Sequence, residues 1–402
     1  MAKRILIYTN HFYPEQFKIN DVVDWLGSSN NEIRVVTCIP NYPSGKFYKN
    51  YSLLNSFMGN NITINRLPLI PRGNGSSFML LLNYLSYFLS CILFTLYLGI
   101  FVKKYDVVLV HHTSPFLIAL NPIIYRIFKK TKCFLWDLDI WPETLEAVNI
   151  IKSKYIIDFI RKIVIFTYSF YDKILISSIG LKSVIQTRFK NHIEYFPNWA
   201  NKEIEEISED YKIELNIPKD KFVIMYTGNI GQSQNFDLLI ETIKYFNPKK
   251  NVFWVFVGDG RFKNTFVKKL TSERLLQNCM FTGYVDSKKI PAYSKHADAM
   301  YLSLSDNNIF NNTLPAKLQT YLALSKPIVA VLKGEGKKII LESNSGIVES
   351  NNDYLSLSIK IENLIKLPQK ELNQLGINGK KYYDKIFSSK KRKNQIINLI
   401  NT

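Results

Sequence analysis

The feature that most constrains this chain is the stretch from Phe222 to Phe236, FVIMYTGNIGQSQNF. Phe222 to Tyr226 is a short apolar run of strand formers. Thr227, Gly228, Asn229, Ile230 and Gly231 follow, and Phe236 to Ile240, continued by Ile243, carries the apolar face of a helix. A strand, a glycine turn and a helix in that order can build an anion site. Glycine lets the backbone approach a phosphate, and a helix start supplies unpaired N–H groups and a positive dipole end. An ordinary strand-to-helix turn of a parallel sheet looks the same. The stretch lies mid-chain, so it can open a second nucleotide-binding-type domain.

A chain of 402 residues suffices for two domains, and a hydrophobic content of 47% supports sizeable cores. Lys+Arg 52 against Asp+Glu 33 gives a net charge of +19. Such a surplus points to an anionic partner: phosphates, an anionic membrane surface or nucleic acid. The basic residues are scattered among Asn, Ile and Tyr, with no basic stripe interleaved with aromatics, so no nucleic-acid partner is expected. Cys38, Cys91, Cys133 and Cys279 lie far apart in apolar runs and read as buried thiols of a reducing compartment, without metal spacing. The start, MAKRILIYTNHFYPE, has too short an apolar segment for a signal peptide and reads as a first strand. A cytoplasmic location is expected.

Arg4 to Thr9, a helix from about Ile19 to Leu26 and a strand at Ile33 to Cys38 make a β-α-β unit, the seed of a doubly wound parallel sheet. In such sheets ligands collect beyond the carboxyl ends of strands. His11, Tyr13 and Glu15 lie in the loop after the first strand. Asn41, Tyr42 and Lys46 lie in IPNYPSGKFY after the second, so these six are candidate acceptor-side residues. His11 is expected to pack under Tyr13.

Phe78 to Val102 is the most apolar segment and is long enough to span a bilayer. A sheet strand resumes at Asp106 to Val110, so a span would split one sheet across the membrane. The expected arrangement is a long helix, half buried in the domain and half in the membrane interface. Arg72, Lys103, Lys104 and tyrosines 84, 87 and 97 suit that position. A fully buried core helix is the plainer alternative.

Further on, the strand Val107 to Val110 runs into HHTSPF, and the strand Cys133 to Trp136 into WDLDIWPE. Asp139, Asp137 and Glu143, with His112, are the candidate catalytic residues, because carboxylates at a strand end beside tryptophans suit acid–base work or sugar binding. Helix capping by Asp139 and Glu143 is the bland alternative. Residues 201–221 are polar and read as an interdomain lead-in. The second half then repeats the layout. GDGRFK is another strand-glycine-helix turn with two cations, and Pro315-Ala316-Lys317 opens a helix aimed at the same crevice as Gly228 to Gly231. Gly228, Asn229, Ile230, Gly231, Gln234, Gly258, Arg261, Lys263, Pro315, Lys317 and Glu335 are the candidate donor-binding residues.

The residues HFYPEQFKIND, IPNYPSGK, LIPRGNG before an apolar helix, WDLDIWPE, YTGNIGQSQ, GDG, FTGYV, LPAKLQTYLALSKPI and GEG, taken in their joint order, resemble glycosyltransferase family 4. The nearest likeness is to bacterial acetamido-sugar (fucosamine-type) transferases of O-antigen and capsule assembly. The resemblance covers nearly the whole chain. It implies an α/β, GT-B fold of two facing Rossmann-like, doubly wound domains. These are an acceptor-side domain over 1–200, a nucleotide-sugar-binding domain over 201–375, and a C-terminal helix over 376–402 that crosses back to the first. Two departures stand out. Many members carry a Glu, seven residues, then Glu, where this chain has Asn312 and Thr320; Glu335 is the expected substitute. The Arg and Lys that often follow the glycine turn are replaced by Gln232, Ser233 and Gln234, leaving Lys317 with Arg261 or Lys263 as diphosphate cations.

The resemblance implies retaining transfer of a sugar, an N-acetylated deoxy-amino sugar, from a nucleoside-diphosphate donor, UDP first, to a polyprenyl-diphosphate-linked saccharide. The enzyme would act in O-antigen, lipopolysaccharide or capsular polysaccharide synthesis. It would bind peripherally to the anionic inner face of the cell membrane, and with no metal motif present no metal or other cofactor is expected. A GT-B-shaped nucleotide-sugar epimerase and a non-catalytic membrane scaffold are the rivals; the interfacial helix argues against the first, and the two missing carboxylates leave room for the second.

Overall fold

The computed structural model describes residues 2–51, 56–59, 61–147, 151, 153–206, 211–247, 251–307 and 311–401. The chain divides into two compact units, Met1–Pro197 with Lys393–Thr402, and Asn198–Arg392.

The first unit holds an eight-stranded sheet: β1 (Arg4–Thr9), β2 (Glu32–Cys38), β3 (Ser56–Met58), β4 (Ile62–Leu67), β5 (Val107–His112), β6 (Lys132–Asp137), β7 (Lys173–Ile176) and β8 (His192–Tyr195). Its order is β3-β4-β2-β1-β5-β6-β7-β8, and every pairing is parallel except β3 with β4. β5 is VVLVHH, buried throughout, as a strand covered on both faces requires. The chain winds outward one way from β1 and, after β4, the other way from β5. The β1/β5 crevice is therefore the switch point, where a doubly wound sheet opens room for a ligand.

The helix Ser77–Phe101 lies along this sheet rather than away from it. Asn83, Tyr87, Cys91, Thr95, Leu98 and Gly99 turn inward, and the Tyr87 hydroxyl donates to the Thr9 carbonyl at 3.0 Å. Phe78, Leu81, Leu85, Leu89, Leu93, Tyr97, Ile100 and Phe101 are exposed. A fully buried helix is thus ruled out, and the apolar segment is docked along one face only. The helices Asn121–Phe128 and Lys154–Tyr168 share its layer: Tyr125, Val164 and Tyr168 join Tyr87 and Leu98 in one core against Tyr8, Val110 and Leu135.

The second unit holds a six-stranded, all-parallel sheet: β9 (Phe222–Thr227), β10 (Val252–Val257), β11 (Cys279–Gly283), β12 (Ala299–Ser303), β13 (Ile328–Val331) and β14 (Gly346–Glu349). The order β11-β10-β9-β12-β13-β14 puts its switch point between β9 and β12, beyond Gly228. The helix Gln369–Ile386 stays in this unit: Gly376 packs on the Ser325 carbonyl, and the Tyr383 hydroxyl accepts from the Ala200 amide at 2.9 Å. The return to the first unit therefore falls at Lys393 rather than at 376. Of the lead-in over 201–221, residues 207–210 lie outside the described residues. The cysteines are all unpaired; Cys38, Cys91 and Cys133 are buried, but Cys279 is only half-buried because β11 is an edge strand.

Candidate active site

Beyond β9, Gly228 has a φ of +120° and lies against the Lys317 side chain; an added Cβ would meet Lys317 Cε at 2.9 Å. Gly258 (φ +147°) meets the Gly228 carbonyl in the same way, at 2.0 Å. Only glycine tolerates both the backbone angle and the crowding. The Lys317 ammonium lies 5.0 Å from the Tyr226 ring centroid and donates to Gln234 Oε1 at 2.8 Å. Among the described residues no carboxylate pairs with it. Burial pushes its pKa down to about 8.

Two expectations are corrected at this turn. The amides of Gly228 and Ile230 are already engaged, donating to the Val257 and Asp259 carbonyls at 2.8 Å each. The β9–β10 pairing continues past the strand ends and takes them. Among the described residues, the Asn229 and Gly231 amides keep no such partner. Nor does the following helix start at the glycines: a short turn over Gln232–Gln234 and Asn235 at φ +50° intervene before Phe236–Phe246. Gln234 turns inward instead, its Oε1 shared by Lys317 and the Tyr226 hydroxyl. Asn229, Gly231, Gln232, Ser233, Arg261 and Phe262 line an open groove of about 450 Å³. Arg261 is exposed there, while Lys263 is tied to Asp259 at 3.2 Å, so Arg261 is the more available cation. Pro315 precedes the helix Ala316–Ala323, which carries Lys317 in its first turn, and Glu335 lies in the first turn of Gly334–Ser343. Thr320 bonds back to the Ala316 carbonyl at 3.5 Å. Tyr226 was read only as a strand residue; a hydroxyl-bearing ring just before a glycine turn is the signal it offered.

In the first unit, His112 ends β5 and Asp137 ends β6, and parallel register sets them side by side. His112 Nδ1 meets Asp137 Oδ1 at 2.6 Å, and Tyr168 donates to Asp137 Oδ2 at 2.5 Å. All three are buried. Burial, then the Asp137 charge, pushes the Tyr168 pKa well above its ordinary value. Asp137 is consumed in orienting the imidazole, whose Nε2 has no partner among the described residues. Asp139 does not cap a helix: its Oδ2 accepts from the Ser114 amide at 2.9 Å and ties the β6 loop to the β5 loop, with Trp141 Nε1 donating to Ser114 Oγ at 3.0 Å. Glu143 is gripped by Arg188 through both its oxygens and reached by Arg161. Burial would raise its pKa, but the two arginines outweigh that and hold it below the usual range, so it acts as a structural anchor.

Around β1 and β2, Glu15 is buried. Its Oε2 meets His11 Nδ1 at 2.5 Å, and its Oε1 accepts from the Asn41 and Tyr42 amides at 2.8 and 2.7 Å. His11 stacks on Phe17 at 4.4 Å, not under Tyr13 as expected, because Glu15 one turn on pulls the ring round. Tyr13 reaches Asp24 instead, at 3.3 Å, and Lys46 is exposed and apart from the cluster.

Residues 207–382 match the family described as Glycosyl transferases group 1. Those residues form a group 1 glycosyl transferase domain. The chain is also 24% identical, over 341 residues, to a protein of Escherichia coli (strain K12) named as a colanic acid biosynthesis glycosyl transferase, WcaI; the match covers 80% of this chain and 81% of that one. Among solved structures it resembles sucrose-phosphate synthase from Thermosynechococcus elongatus (TM-score 0.74, 12% identity, 100% of this chain and 98% of that one). It also resembles HepE from Anabaena, solved with UDP and glucose (TM-score 0.66, 13% identity, 100% of both chains). The fold of this glycosyltransferase is GT-B, in line with the resemblance to glycosyltransferase family 4.

Proposed function

We propose that this glycosyltransferase moves an N-acetylated deoxy-amino sugar, with retention, from a UDP-type donor to a polyprenyl-diphosphate-linked saccharide of O-antigen or capsule assembly. The observation that carries the donor assignment is Lys317, a half-buried lysine that pairs with no carboxylate among the described residues and is laid across Gly228 at a switch point. A diphosphate supplies the charge such a group lacks. Lys317, Arg261 and the Asn229 and Gly231 amides would stabilise charge developing on the departing diphosphate, the role a metal fills elsewhere. No metal or other cofactor is therefore proposed. HepE, solved with UDP and glucose, supports the choice of nucleotide.

The acceptor assignment rests on the outer face of the helix layer. The exposed stripe Leu81, Leu85, Leu89, Leu93 and Tyr97 runs at helical spacing, and Tyr155, Phe159 and Phe166 on Lys154–Tyr168 are exposed from the same layer. Exposed Lys103, Lys104, Lys130, Lys132, Lys154 and Lys162 flank them. Apolar stripes edged with lysine suit the anionic inner face of a cell membrane, touched peripherally from the cytoplasm. On this surface a lipid-held acceptor is within reach, which an epimerase has no need of.

Calorimetry with UDP tests the donor site. Lys317→Ala is expected to weaken UDP about 30- to 100-fold, as for a charge-assisted contact of ~2–3 kcal/mol. Unchanged affinity would remove Lys317 from the site. Product analysis with donor alone and with lipid acceptor separates transfer from epimerisation.

A further inference from the structure

The reaction proposed above needs a second phosphate site, because its acceptor carries a diphosphate of its own. The inference therefore rests on that proposal. One cation in the first unit is built for the task. Arg72 lies in the segment that leads into the helix Ser77–Phe101. Its guanidinium is flanked by the rings of Tyr42, at 5.3 Å, and Tyr84, at 5.5 Å. One NH2 group meets His11 Nε2 at 3.3 Å, and its backbone amide donates to Asn41 Oδ1 at 3.3 Å. Nothing acidic neutralises it: among the described residues no carboxylate pairs with Arg72, and its Nε–H is buried without a partner. Glu15, the nearest acid in this network, already takes three donors: His11 and the amides of Asn41 and Tyr42. It holds the imidazole with Nδ1 toward the carboxylate, which leaves Nε2 to accept from Arg72. A planar cation clamped by two rings and one imidazole, with donors to spare, is a phosphate receptor.

The surroundings choose the kind of phosphate. Asn83, Tyr84, Tyr87 and Phe88 of the long helix line the same pocket as Arg72, His11 and Asn41. Leu81, Leu85 and Leu89, on the other side of that helix, form the exposed apolar stripe. A helix is only about 10 Å across. The pocket thus lies one helix-width behind the surface proposed to touch lipid. Its closed part is small, about 20 Å³, the size of one water or one phosphate oxygen. An anion would insert one oxygen there and leave the remainder at the mouth against Arg72. We propose that Arg72 holds the diphosphate of the lipid-linked acceptor, with His11 and Glu15 positioning it.

The test is binding, not turnover, on the full-length enzyme in detergent micelles, with farnesyl diphosphate, farnesol and inorganic pyrophosphate as probes. Farnesyl diphosphate should bind, farnesol much more weakly. Arg72→Gln should weaken farnesyl diphosphate at least about tenfold, the loss of one charge-assisted contact, and Arg72→Lys should recover part of it. UDP affinity should be the same in all three proteins, which checks the fold and keeps the donor site separate. If UDP fails to bind even the wild type, the donor assignment falls while this one stands or falls on farnesyl diphosphate. Equal farnesyl diphosphate affinity in Arg72→Gln and wild type overturns the proposal. Inorganic pyrophosphate binding as tightly as farnesyl diphosphate overturns the lipid source, since it would mark a site for free anions. Loss of UDP binding in Arg72→Gln would mark a folding defect and pass the decision to Arg72→Lys, whose unchanged affinity for farnesyl diphosphate, with farnesol bound equally well, overturns it too.

Discussion

Lys317 sets the behaviour of the donor site because its ammonium rests on a ring and an amide oxygen rather than on an acid. Its pKa is pushed down to about 8 by burial, from 10.5. A bound diphosphate favours the charged form, so UDP affinity should fall as pH rises through about 8; a flat profile from pH 7 to 9 would argue against the contact. The sign for stability is opposite. The unfolded chain holds this proton up to about pH 10.5 and the folded one only to about 8, so this group's burden on the fold is full below 8 and lifts between those values. Lys317→Met should therefore stabilise the ligand-free protein near neutrality by ~2 kcal/mol while losing UDP. Asp139 allows a similar separation of roles. Asn at 139 retains an oxygen for the Ser114 amide, so Asp139→Asn should fold and bind UDP normally. Should the carboxylate orient the acceptor or steady the cationic sugar, turnover at saturating substrates falls ~100-fold; near wild-type turnover would leave Asp139 a loop tie and move attention to the His112–Asp137 pair.

At the scale of elements, what the sequence disclosed depended on how local the signal was. β5, β9 and β10 are apolar runs ended by polar or glycine residues and can be read directly. β4 could not: ITINRL places polar residues at buried positions, Asn65 and Arg66 among them, with Arg66 lying over the Tyr51 ring at 4.9 Å and bonded to Ser56. β3 is three residues at an edge and has no pattern to show. The engaged amides of Gly228 and Ile230 depend on the register of β10, and the Arg72–His11 contact joins residues 61 apart. Neither leaves a trace in local spacing. The helix Ser77–Phe101 was legible as apolar and as half buried, but which of its residues turn inward is set by the sheet beneath it. Replacing Leu81, Leu85 and Leu89 with Ser removes only exposed side chains. It should shift the enzyme from the membrane to the soluble fraction and leave UDP affinity unchanged. A wild type that alkaline carbonate cannot extract would show a spanning helix instead.

Across the whole molecule, a charge of +19 and two apolar stripes offer two ways of holding a membrane, and salt tells them apart. Each lysine close to an anionic surface contributes about 1 kcal/mol, within a Debye length. Six exposed lysines flank the stripes, so the electrostatic part could reach several kcal/mol at low salt. Raising salt from about 0.05 M to about 0.5 M shortens the screening length from roughly 14 Å to roughly 4 Å, which removes most of that part. The apolar part is untouched, or slightly strengthened, by the same change. In vesicle sedimentation the wild type should therefore prefer anionic phosphatidylglycerol to neutral phosphatidylcholine at low salt. At high salt it should bind both equally, through a residue of apolar contact. The triple Ser variant should bind anionic vesicles weakly at low salt, and both kinds more weakly than the wild type at high salt. Adding Phe159→Ser and Phe166→Ser to the wild type should lower binding to neutral vesicles as well, if Lys154–Tyr168 shares the contact. Equal binding of the wild type to both vesicles at low salt would mean that the basic surplus serves some other partner, and that the apolar stripes alone hold the enzyme to lipid.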